Sequence, residues 1–441
     1  MFCILSQVLP TMTTLAAARP TPLTPNQIRG FIAAWGGWAL DGMDSFIYSL
    51  VLVPALTELL PRSGIPATPG NVGYYGSVLF ALFLIGWGLS MLWGPVADRF
   101  GRVRTLTLTI LCYSIFTLLC GLVGNVWQLA VLRILAGIGI GGEWSMGGTF
   151  IAEEWPEDRR KAGGGYMHTG YYFGFFLAAL ANYTIGAKYG WRWMFVVGGT
   201  PALLVTFIRY GVRESAIWAR RDADRTHPPM GEAFKKIFSP LYARRTLLNS
   251  LYLLVSIVGL WAGSVYVPTS VREIATREGF NAAAATRLAS YGTMVLSAGT
   301  ILGCVVLPPL AERFGRRVTL GLYFVVMFVS IAGGFGYVFY LANALAPFFV
   351  VLFLLGLGGA NFAMYTIWLP EQYATECRGS AFAFATSVGR FAGAGITFLV
   401  GAGVAHYGTV GTPVALTSIA FVVGLLLLPF GEETRGKPLP A

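Results

Sequence analysis

The sequence predicts an all-α integral membrane protein with twelve transmembrane helices in two six-helix halves. Three observations support this prediction: an apolar composition with twelve long apolar runs, a one-sided distribution of basic residues, and an internal repeat. Only 12% of the 441 residues are charged, whereas about a quarter of the residues of soluble domains are charged. The mean hydropathy is +0.65, which also fits a chain that lies mostly in lipid.

The twelve apolar runs define the predicted elements, because crossing the hydrocarbon layer takes about 20 apolar residues. They cover residues 31–57, 73–97, 103–123, 126–152, 162–187, 191–210, 246–271, 288–311, 318–341, 346–369, 379–404 and 410–430. The one long polar connection, 211–245, separates six spans from six. We therefore expect a disordered segment 1–30, an N-terminal bundle 31–210, a cytoplasmic linker 211–245, a C-terminal bundle 246–430 and a cytoplasmic tail 431–441.

The basic residues predict the orientation of these spans. With the N-terminus inside, 23 of the 31 Lys and Arg residues lie on the inner side, six lie outside and two, Arg133 and Arg390, lie within spans. Loops on the cytoplasmic side of membrane proteins carry such an excess of basic residues. The net charge of +11 is thus explained by membrane topology, and no nucleic-acid partner is needed.

Two pairs of loop motifs form an internal repeat. "GPVADRFGRVR" (94–104) follows span 2 and "PPLAERFGRRV" (308–318) follows span 8, at an offset of 214. "EEWPEDRR" (153–160) follows span 4 and "EQYATECR" (371–378) follows span 10, at an offset of 218. Duplicated halves of this kind place the substrate site between them, near the middle of the membrane.

These motifs resemble the signatures of the major facilitator superfamily, as does "RILAGIGIGG" (133–142). The resemblance covers about residues 31–436 and implies the major facilitator fold with both termini in the cytoplasm. "LDGMD" in span 1, "GGEW" (141–144) and "SVGRFAG" around Arg390 are similar to proton-coupled symporters of aromatic acids, nicotinate, sialate or lactate. "RESAIW" (213–218) and "EETRGKPLP" (432–440) resemble degenerate tags of sugar porters and organic-ion transporters.

The first candidate functional residues are acidic groups inside spans. Asp41 and Asp44 share a helix face near the middle of span 1, where an ionised Asp costs roughly 2.5–3.5 kcal/mol on insertion scales. We expect them to exchange protons; the alternative is a helix cap beside Gly42. The resemblance to sugar porters implies that Arg133 pairs with Asp44, and a static salt bridge is the alternative. Glu143, in "GGEW", is a further candidate for protonation or for a polar helix contact.

Arg390 is the main substrate candidate, because no acidic residue in the second-half spans can neutralise it. Its planar guanidinium matches a carboxylate, so the missing anion is expected to be the substrate; a bridge to Asp41 or Asp44 is the alternative. Additional residues expected to line the cavity, with packing as the alternative for each, are His168, Tyr172, Trp261, Tyr266, Asn361 and Tyr365.

The loop charges are expected to form a cytoplasmic gate. The resemblance implies that they latch the inner side when the outer side is open, and a network of this kind can favour one state by a few kcal/mol, roughly. The predicted gate residues are Asp98, Arg99, Arg102, Glu153, Arg160, Glu312, Arg313, Arg316, Glu371 and Arg378.

Together these features favour a secondary active transporter that takes up a small organic anion with protons across the inner membrane. A sugar or polyol symporter is the alternative, although span 7 lacks the "QQ-x-x-G-x-N" run of sugar porters, and an exporter of drugs or organic ions is another. An enzyme is not expected, because the chain has no nucleophile–base spacing, metal cluster or phosphate loop; the five scattered cysteines suggest no metal site. We expect no cofactor other than the proton gradient, and a monomer whose partners are the anion, protons and the lipid bilayer.

Overall fold

A computed structural model of the chain describes residues 21–203, 205, 211–214, 218, 220 and 231–440. These residues form helices and connections, and no strand occurs among them. The predicted disorder of residues 1–20 and much of the predicted linker lie outside the described residues.

The first half contains a bundle of long helices with two irregular segments. After α2, a 3₁₀ turn at Ser90–Leu92 leads into α3, and five residues in a π-helical conformation, Asn182–Gly186, follow α6. The helices are α1 (Pro25–Arg62), α2 (Pro69–Leu89), α3 (Trp93–Phe100), α4 (Arg102–Cys120), α5 (Val126–Glu154), α6 (Arg160–Ala181) and α7 (Trp191–Gly198).

The second half repeats this architecture. A short helix, Glu232–Lys236, precedes it. Its helices are α8 (Ala243–Val265), α9 (Val267–Arg277), α10 (Ala282–Phe314), α11 (Arg316–Gly336), α12 (Leu345–Gly359), α13 (Phe362–Trp368), α14 (Arg378–Tyr407), α15 (Gly411–Leu416) and α16 (Ile419–Leu427).

Nine helical segments in the described part of the chain are long and apolar enough to cross a membrane. The predicted spans 162–187, 191–210 and 246–271 are not among them. Helices do lie at these three places, as α6, α7 and α8, but the glycines, tyrosines and His168 of α6 make that helix less apolar. The total of twelve spans therefore remains a prediction.

The first helix starts earlier than predicted. Thr24 accepts a hydrogen bond from the Gln27 backbone, and the Gln27 side chain accepts one from the Thr24 backbone, which is a capping box. Pro25 follows as the first helical residue, where proline is favoured. The prediction of disorder is thus wrong for residues 25–30.

The two repeated loops have the same backbone geometry. Gly101 connects α3 to α4 with φ 105°, and Gly315 connects α10 to α11 with φ 88°, a region that only glycine adopts easily. Arg102 Nη1 donates to the Ala97 carbonyl at 2.8 Å, as Arg316 donates to the equivalent Ala311 at 3.0 Å. The sequence repeat therefore corresponds to a structural repeat in these loops.

The two halves meet along paired helices. α6 packs on α10, and α2 and α3 pack on α14. At Gly94 a Cβ atom would lie 2.7 Å from the Cα of Ser380, so glycine allows α3 and α14 to approach closely. This interface contains the site described next.

Candidate substrate and proton site

Three acidic side chains are buried within the membrane-spanning helices of the first half, away from the loop charges. Asp41 and Asp44 lie on α1 and Glu143 lies on α5, and each is fully buried. No group among the described residues donates a hydrogen bond to their carboxylate oxygens. Since an ionised carboxylate in a membrane interior needs a counter-charge or a proton, their neighbours determine what they can do.

Asp44 has a cation beside it. Arg133 Nη1 lies 3.7 Å from Asp44 Oδ2, and both side chains are fully buried. The guanidinium carbon of Arg133 is 4.6 Å from the ring centre of Tyr48 and 4.2 Å from that of Phe83, within the range of cation–π attraction. The predicted partners are therefore adjacent, in an ion contact that is longer than a hydrogen bond.

Glu143 occupies a notch in α1. A Cβ atom at Gly37 would lie 1.8 Å from Glu143 Oε1, so only glycine leaves room for the carboxylate there. Gly37 lies one helical turn before Asp41, and the charges of Asp41 and Glu143 act on each other. The phenol of Tyr113 is the polar neighbour of Glu143. Asp41 and Glu143 thus form a second acidic group, distinct from the Asp44–Arg133 pair.

Arg390 reaches from α14 toward the first half. Its guanidinium carbon lies 3.9 Å from the ring centre of Trp87 on α2. The side chain is buried, and its Nε and Nη1 atoms donate no hydrogen bond to a described group. No acidic side chain in the described ranges forms an ion pair with it, although the charge of Asp41 acts on it. A buried guanidinium in this state can accept a carboxylate ligand.

Aromatic rings surround this region and form what we call the aromatic box: Trp38, Trp144, His168, Tyr171 and Phe362. The Trp38 ring stacks on those of Tyr171 and Trp144, with centres 4.7 and 5.6 Å away. Trp38 Nε1 donates to His168 Nδ1 at 3.3 Å, and His168 lies parallel to Phe362 at 6.0 Å. Because Phe362 comes from the second half, the box spans the interface.

Polar contacts also cross the interface at this depth. Trp144 Nε1 donates to Thr366 Oγ1 at 3.0 Å, and the hydroxyls of Ser90 and Ser387 lie 3.1 Å apart.

Sequence reasoning missed most of the aromatic box, including Trp38 and Trp144. The available signal was their position, since Trp38 precedes Asp41 by three residues and Trp144 directly follows Glu143.

The other predicted substrate residues are distributed unevenly. His168 belongs to the box, and Tyr172 packs against it with ring centres 6.2 Å apart. Tyr365 lies behind Phe362 and shares a 2.8 Å hydrogen bond with Ser256 of its own half.

Two further predicted residues make other contacts. Asn361 donates to the carbonyl of Gly358 in its own chain turn at 2.9 Å, and Tyr266 lies in a small space between α8 and α14, beside Ile257 and Gly393. Neither side chain has a described contact with the rings of the aromatic box, because polarity or aromaticity alone does not fix the direction of a side chain; their role in substrate binding stays a prediction. The side chain of Trp261 lies outside the described part of the structure.

Most of the predicted gate charges join the halves on one face, which we call the terminal face because both described chain ends lie there. Glu153 Oε1 lies 3.3 Å from Arg378 Nη1 and 3.0 Å from Arg102 Nη2. Asp98 Oδ2 accepts hydrogen bonds from the backbone and hydroxyl of Ser380, at 2.8 and 2.6 Å. These contacts close the terminal face on the first-half side.

The equivalent contacts of the second half complete this network. Glu371 Oε1 lies 2.7 Å from Arg316 Nη2 and 3.7 Å from Arg160 Nη2. Glu312 accepts from Arg316 at 2.8 Å and from Lys161, across the interface, at 3.0 Å. We call the whole set the latch; it consists of Asp98, Arg102, Glu153, Arg160, Lys161, Glu312, Arg316, Glu371 and Arg378.

Two predicted gate residues lie outside the latch. Arg99 and Arg313 are exposed and lie over the rings of Phe100 and Phe314, at 5.7 and 5.3 Å. Neither forms an ion pair within the described residues. The helix explains this correction, because a residue next to Asp98 or Glu312 points about 100° away from it.

Two glutamates that sequence reasoning did not assign to the gate support it from behind. Glu214 accepts from the backbone N–H groups of Val103 and Arg104 at the start of α4, at 3.1 and 2.9 Å. Glu433 does the same at the start of α11. Burial raises the pKa of Glu214, although these N–H groups act in the opposite direction. Both glutamates belong to the "RESAIW" and "EETRGKPLP" motifs, which were the signal.

A cavity of about 420 Å³ lies between the halves, toward the face opposite the terminal face. Its walls come from α1, α6, α9 and α10 and are mostly apolar. The structure is therefore closed by the latch on the terminal face and has space between its halves on the other side.

The comparisons with known proteins agree with this architecture. Residues 34–308 match the family model described as the Major Facilitator Superfamily. A protein described as a probable 4-methylmuconolactone transporter of Cupriavidus pinatubonensis is 32% identical over 430 residues, which is 94% of this chain and 92% of that one. The chain belongs to the Major Facilitator Superfamily. It is a multi-pass membrane transporter and not an enzyme.

Two further similarities are informative. The niacin transporter NiaP of Acinetobacter baylyi is 26% identical, with 91% of this chain and 93% of that protein covered. The solved structure of the proton:xylose symporter XylE, bound to 6-bromo-6-deoxy-D-glucose, matches with a TM-score of 0.74 at 19% identity, covering 94% of this chain and 98% of that one. At this identity the second similarity shows the fold alone.

Proposed function

We propose that the protein is a proton-coupled symporter that takes up a small organic acid with an aromatic or similarly compact body. The observation that carries this proposal is Arg390, a buried guanidinium above Trp87 with two unused nitrogen atoms and no ion-pair partner among the described carboxylates. A guanidinium binds a carboxylate through two parallel hydrogen bonds. A substrate carboxylate would supply the charge that the protein lacks.

The aromatic box supports a planar substrate. The ring centre of Trp144 lies 5.6 Å from that of Trp38 in the same half and 5.8 Å from that of Phe362 in the other half. Offset stacking against such rings contributes about 0.5–1.5 kcal/mol per pair beyond area burial. The relatives named for 4-methylmuconolactone and niacin support the same size and class of substrate.

The acidic groups supply the proton coupling in this proposal. A substrate carboxylate that binds Arg390 offsets a positive charge in the surroundings of Asp41, and a proton that binds Asp41, next to Glu143, replaces it. Asp44 and Arg133 form a second pair that can open when Asp44 is protonated. Proton binding and substrate binding therefore favour each other.

Alternating access follows from the two faces of the molecule. We propose that the terminal face is cytoplasmic, in the inner membrane, since the basic residues concentrate there, and that the bundles 31–210 and 246–430 rock against each other. The latch and the cavity on the opposite side support an inward-closed state. One chain contributes every group of the site, so a monomer suffices, and the proton gradient replaces any cofactor.

The test uses proteoliposomes with a pH-reporting dye inside. Benzoate, niacin, lactate and xylose are added in turn, with Asp44→Asn, Arg390→Ala and the control Arg313→Gln in parallel. We expect proton entry with one of the carboxylates, loss of at least tenfold in both site variants, and wild-type rates in the control, whose arginine is exposed outside the latch. Proton entry driven by xylose alone would instead establish the sugar symporter. Normal carboxylate transport by Arg390→Ala would make this arginine structural.

A further inference from the structure

The cavity between the halves has a composition that the central site does not explain. Its walls include the rings of Phe46, Tyr172, Phe175 and Phe176, together with short side chains of α10 such as Ser297. Arg272 of α9 also lines it and is the one charged residue among the described residues that do so. The cavity thus combines several aromatic surfaces with a single cation.

Arg272 lies at the outer end of this space. It is exposed and forms no ion pair with a described acidic side chain. The wall formed by α10 runs from Ala289 to Ile301, which is about 18 Å along the helix at 1.5 Å per residue. An anion bound at Arg272 would therefore lie near the water, with room for its apolar body deeper in the cavity.

Two of the hydroxyls that line the cavity are already engaged within α10, whereas the buried hydroxyl of Tyr172 has no described hydrogen-bond partner. Thr293 and Ser297 each donate to a carbonyl one turn earlier in α10, at 3.1 and 2.9 Å. The walls are otherwise apolar, and a volume of about 420 Å³ falls within the range of small-molecule sites, about 300–1,000 Å³. The cavity fits a small amphipathic carboxylate better than a sugar, which needs several free hydrogen-bonding groups.

The inner end of the cavity leads to the central site. Tyr172 lines the cavity and also packs on His168 and Tyr171 of the aromatic box. A carboxylate cannot contact Arg272 and Arg390 at once, because one is exposed in the middle of α9 and the other is buried in α14. The two arginines therefore belong to two successive sites along one route.

We propose that this cavity is an outer staging site, in which Arg272 binds the carboxylate of the incoming acid and the phenylalanine rings hold its apolar body before it passes Tyr172. This inference rests on the proposed function for the class of substrate. Its physical basis is that an exposed cation at the mouth of a cleft raises the local concentration of anions, an effect that salt screens over about 10 Å at 0.1 M ionic strength.

The first experiment measures uptake kinetics at low and high ionic strength. We expect Arg272→Gln to raise KM for benzoate or niacin about fivefold at low salt with kcat unchanged, and Arg272→Lys to restore most of the loss. High salt should raise KM of the wild type but not of Arg272→Gln. Arg287→Gln is the matched control, since Arg287 is exposed near the same end of α10 but does not line the cavity.

The second experiment measures the accessibility of the cavity to a labelling reagent and does not depend on transport. Ser297→Cys is labelled from outside with a membrane-impermeant methanethiosulfonate, and the protein without this change serves as the blank. Benzoate should slow the labelling, also when combined with Arg390→Ala, whereas Arg272→Gln should abolish the protection. Xylose should have no effect.

Each outcome has a defined meaning. Transport with wild-type KM in Arg272→Gln, or labelling of Ser297→Cys that no acid slows, would overturn the staging site and leave the proposed function intact. The second result would also be expected if a lipid chain fills the cavity. Protection by benzoate without any proton-coupled uptake would have the opposite meaning: the staging site would stand and the symporter mechanism would fail.

Discussion

At the scale of single residues, the site is defined by which neighbour lies beside each buried charged side chain. Asp44 has Arg133 beside it, Glu143 is seated against Gly37 near Asp41, and Arg390 has an aromatic face but no described ion-pair partner. Removing one member of a buried ion pair costs about 3–5 kcal/mol. Substitutions here should therefore alter function strongly even where they change few atoms.

The geometry of Arg390 yields the first prediction. Arg390→Lys keeps the charge but replaces a planar fork of donors with a point charge. We expect KM for the transported carboxylate to rise about tenfold, since one of two charge-assisted hydrogen bonds is lost at about 1.5 kcal/mol, while Arg390→Gln should bind no carboxylate. Uptake of the radiolabelled acid over a range of concentrations measures both. Equal KM values for the wild type and Arg390→Lys would contradict bidentate binding.

The notch at Gly37 yields the second prediction. In Gly37→Ala the new methyl group would overlap Glu143 Oε1, so the carboxylate must leave its place beside Asp41. We expect proton-driven uptake to fall by more than tenfold. Gly333→Ala is the matched control: it is also a helical glycine, with no atom within 4 Å of the added Cβ, and should keep its activity and gain roughly 0.5–1 kcal/mol of stability. Uptake assays and thermal unfolding of the two variants separate displacement of Glu143 from a general effect of alanine.

At the scale of elements, helix ends position the arginines of the latch. α4 and α11 each begin after a positive-φ glycine, each start with an arginine of the latch, and each has a glutamate, Glu214 or Glu433, on its first N–H groups. A carboxylate there is favoured by the unpaired N–H groups and by the helix dipole. The arginines are thus fixed by backbone geometry before they meet the opposite half.

The latch yields the third prediction. Glu153→Gln removes the charge that Arg102 and Arg378 share, so the inward-open state should become more populated, by at least tenfold. The rate at which Thr366→Cys is labelled from the terminal face measures this population, since Thr366 is buried behind the latch. Arg99→Gln, which changes an exposed charge at the end of α3 on the same face, should label at the parent rate. Unchanged labelling in Glu153→Gln would mean that the ion pairs do not hold the closed state.

At the scale of the whole molecule, two similar bundles enclose a site that neither contains alone. The aromatic box combines Trp144 of the first half with Phe362 of the second half. The two rings pack against each other, and Trp144 also donates a hydrogen bond across the interface to Thr366. The two halves are joined by the charged residues of the latch on the terminal face and are separated by the cavity on the opposite side. A motion of the bundles would exchange these two conditions without unfolding any helix.

The orientation of the molecule yields the fourth prediction. If the terminal face is cytoplasmic, green fluorescent protein fused after residue 441 should fluoresce in cells, whereas alkaline phosphatase at the same position should be inactive. A phosphatase fusion truncated after Gly279, in the connection between α9 and α10, should be active because this turn lies on the opposite face. The reverse pattern would invert the topology and exclude cytoplasmic closure by the latch.

The sequence by itself determined the two halves and most of the charged groups, because these depend on composition, spacing and the cost of charge in lipid. The resemblance of its motifs to a known family supplied the family, the pairing of Asp44 with Arg133 and the gate that contains Asp98, Glu153 and Arg378. Only the tertiary structure decided which side chains face each other across helices. Trp38 and Trp144 look like ordinary span residues in the sequence, and Arg99 looks equivalent to Arg102. Their roles differ because successive residues of a helix point about 100° apart. Which of these directions faces the site depends on the packing of helices that are distant in the chain.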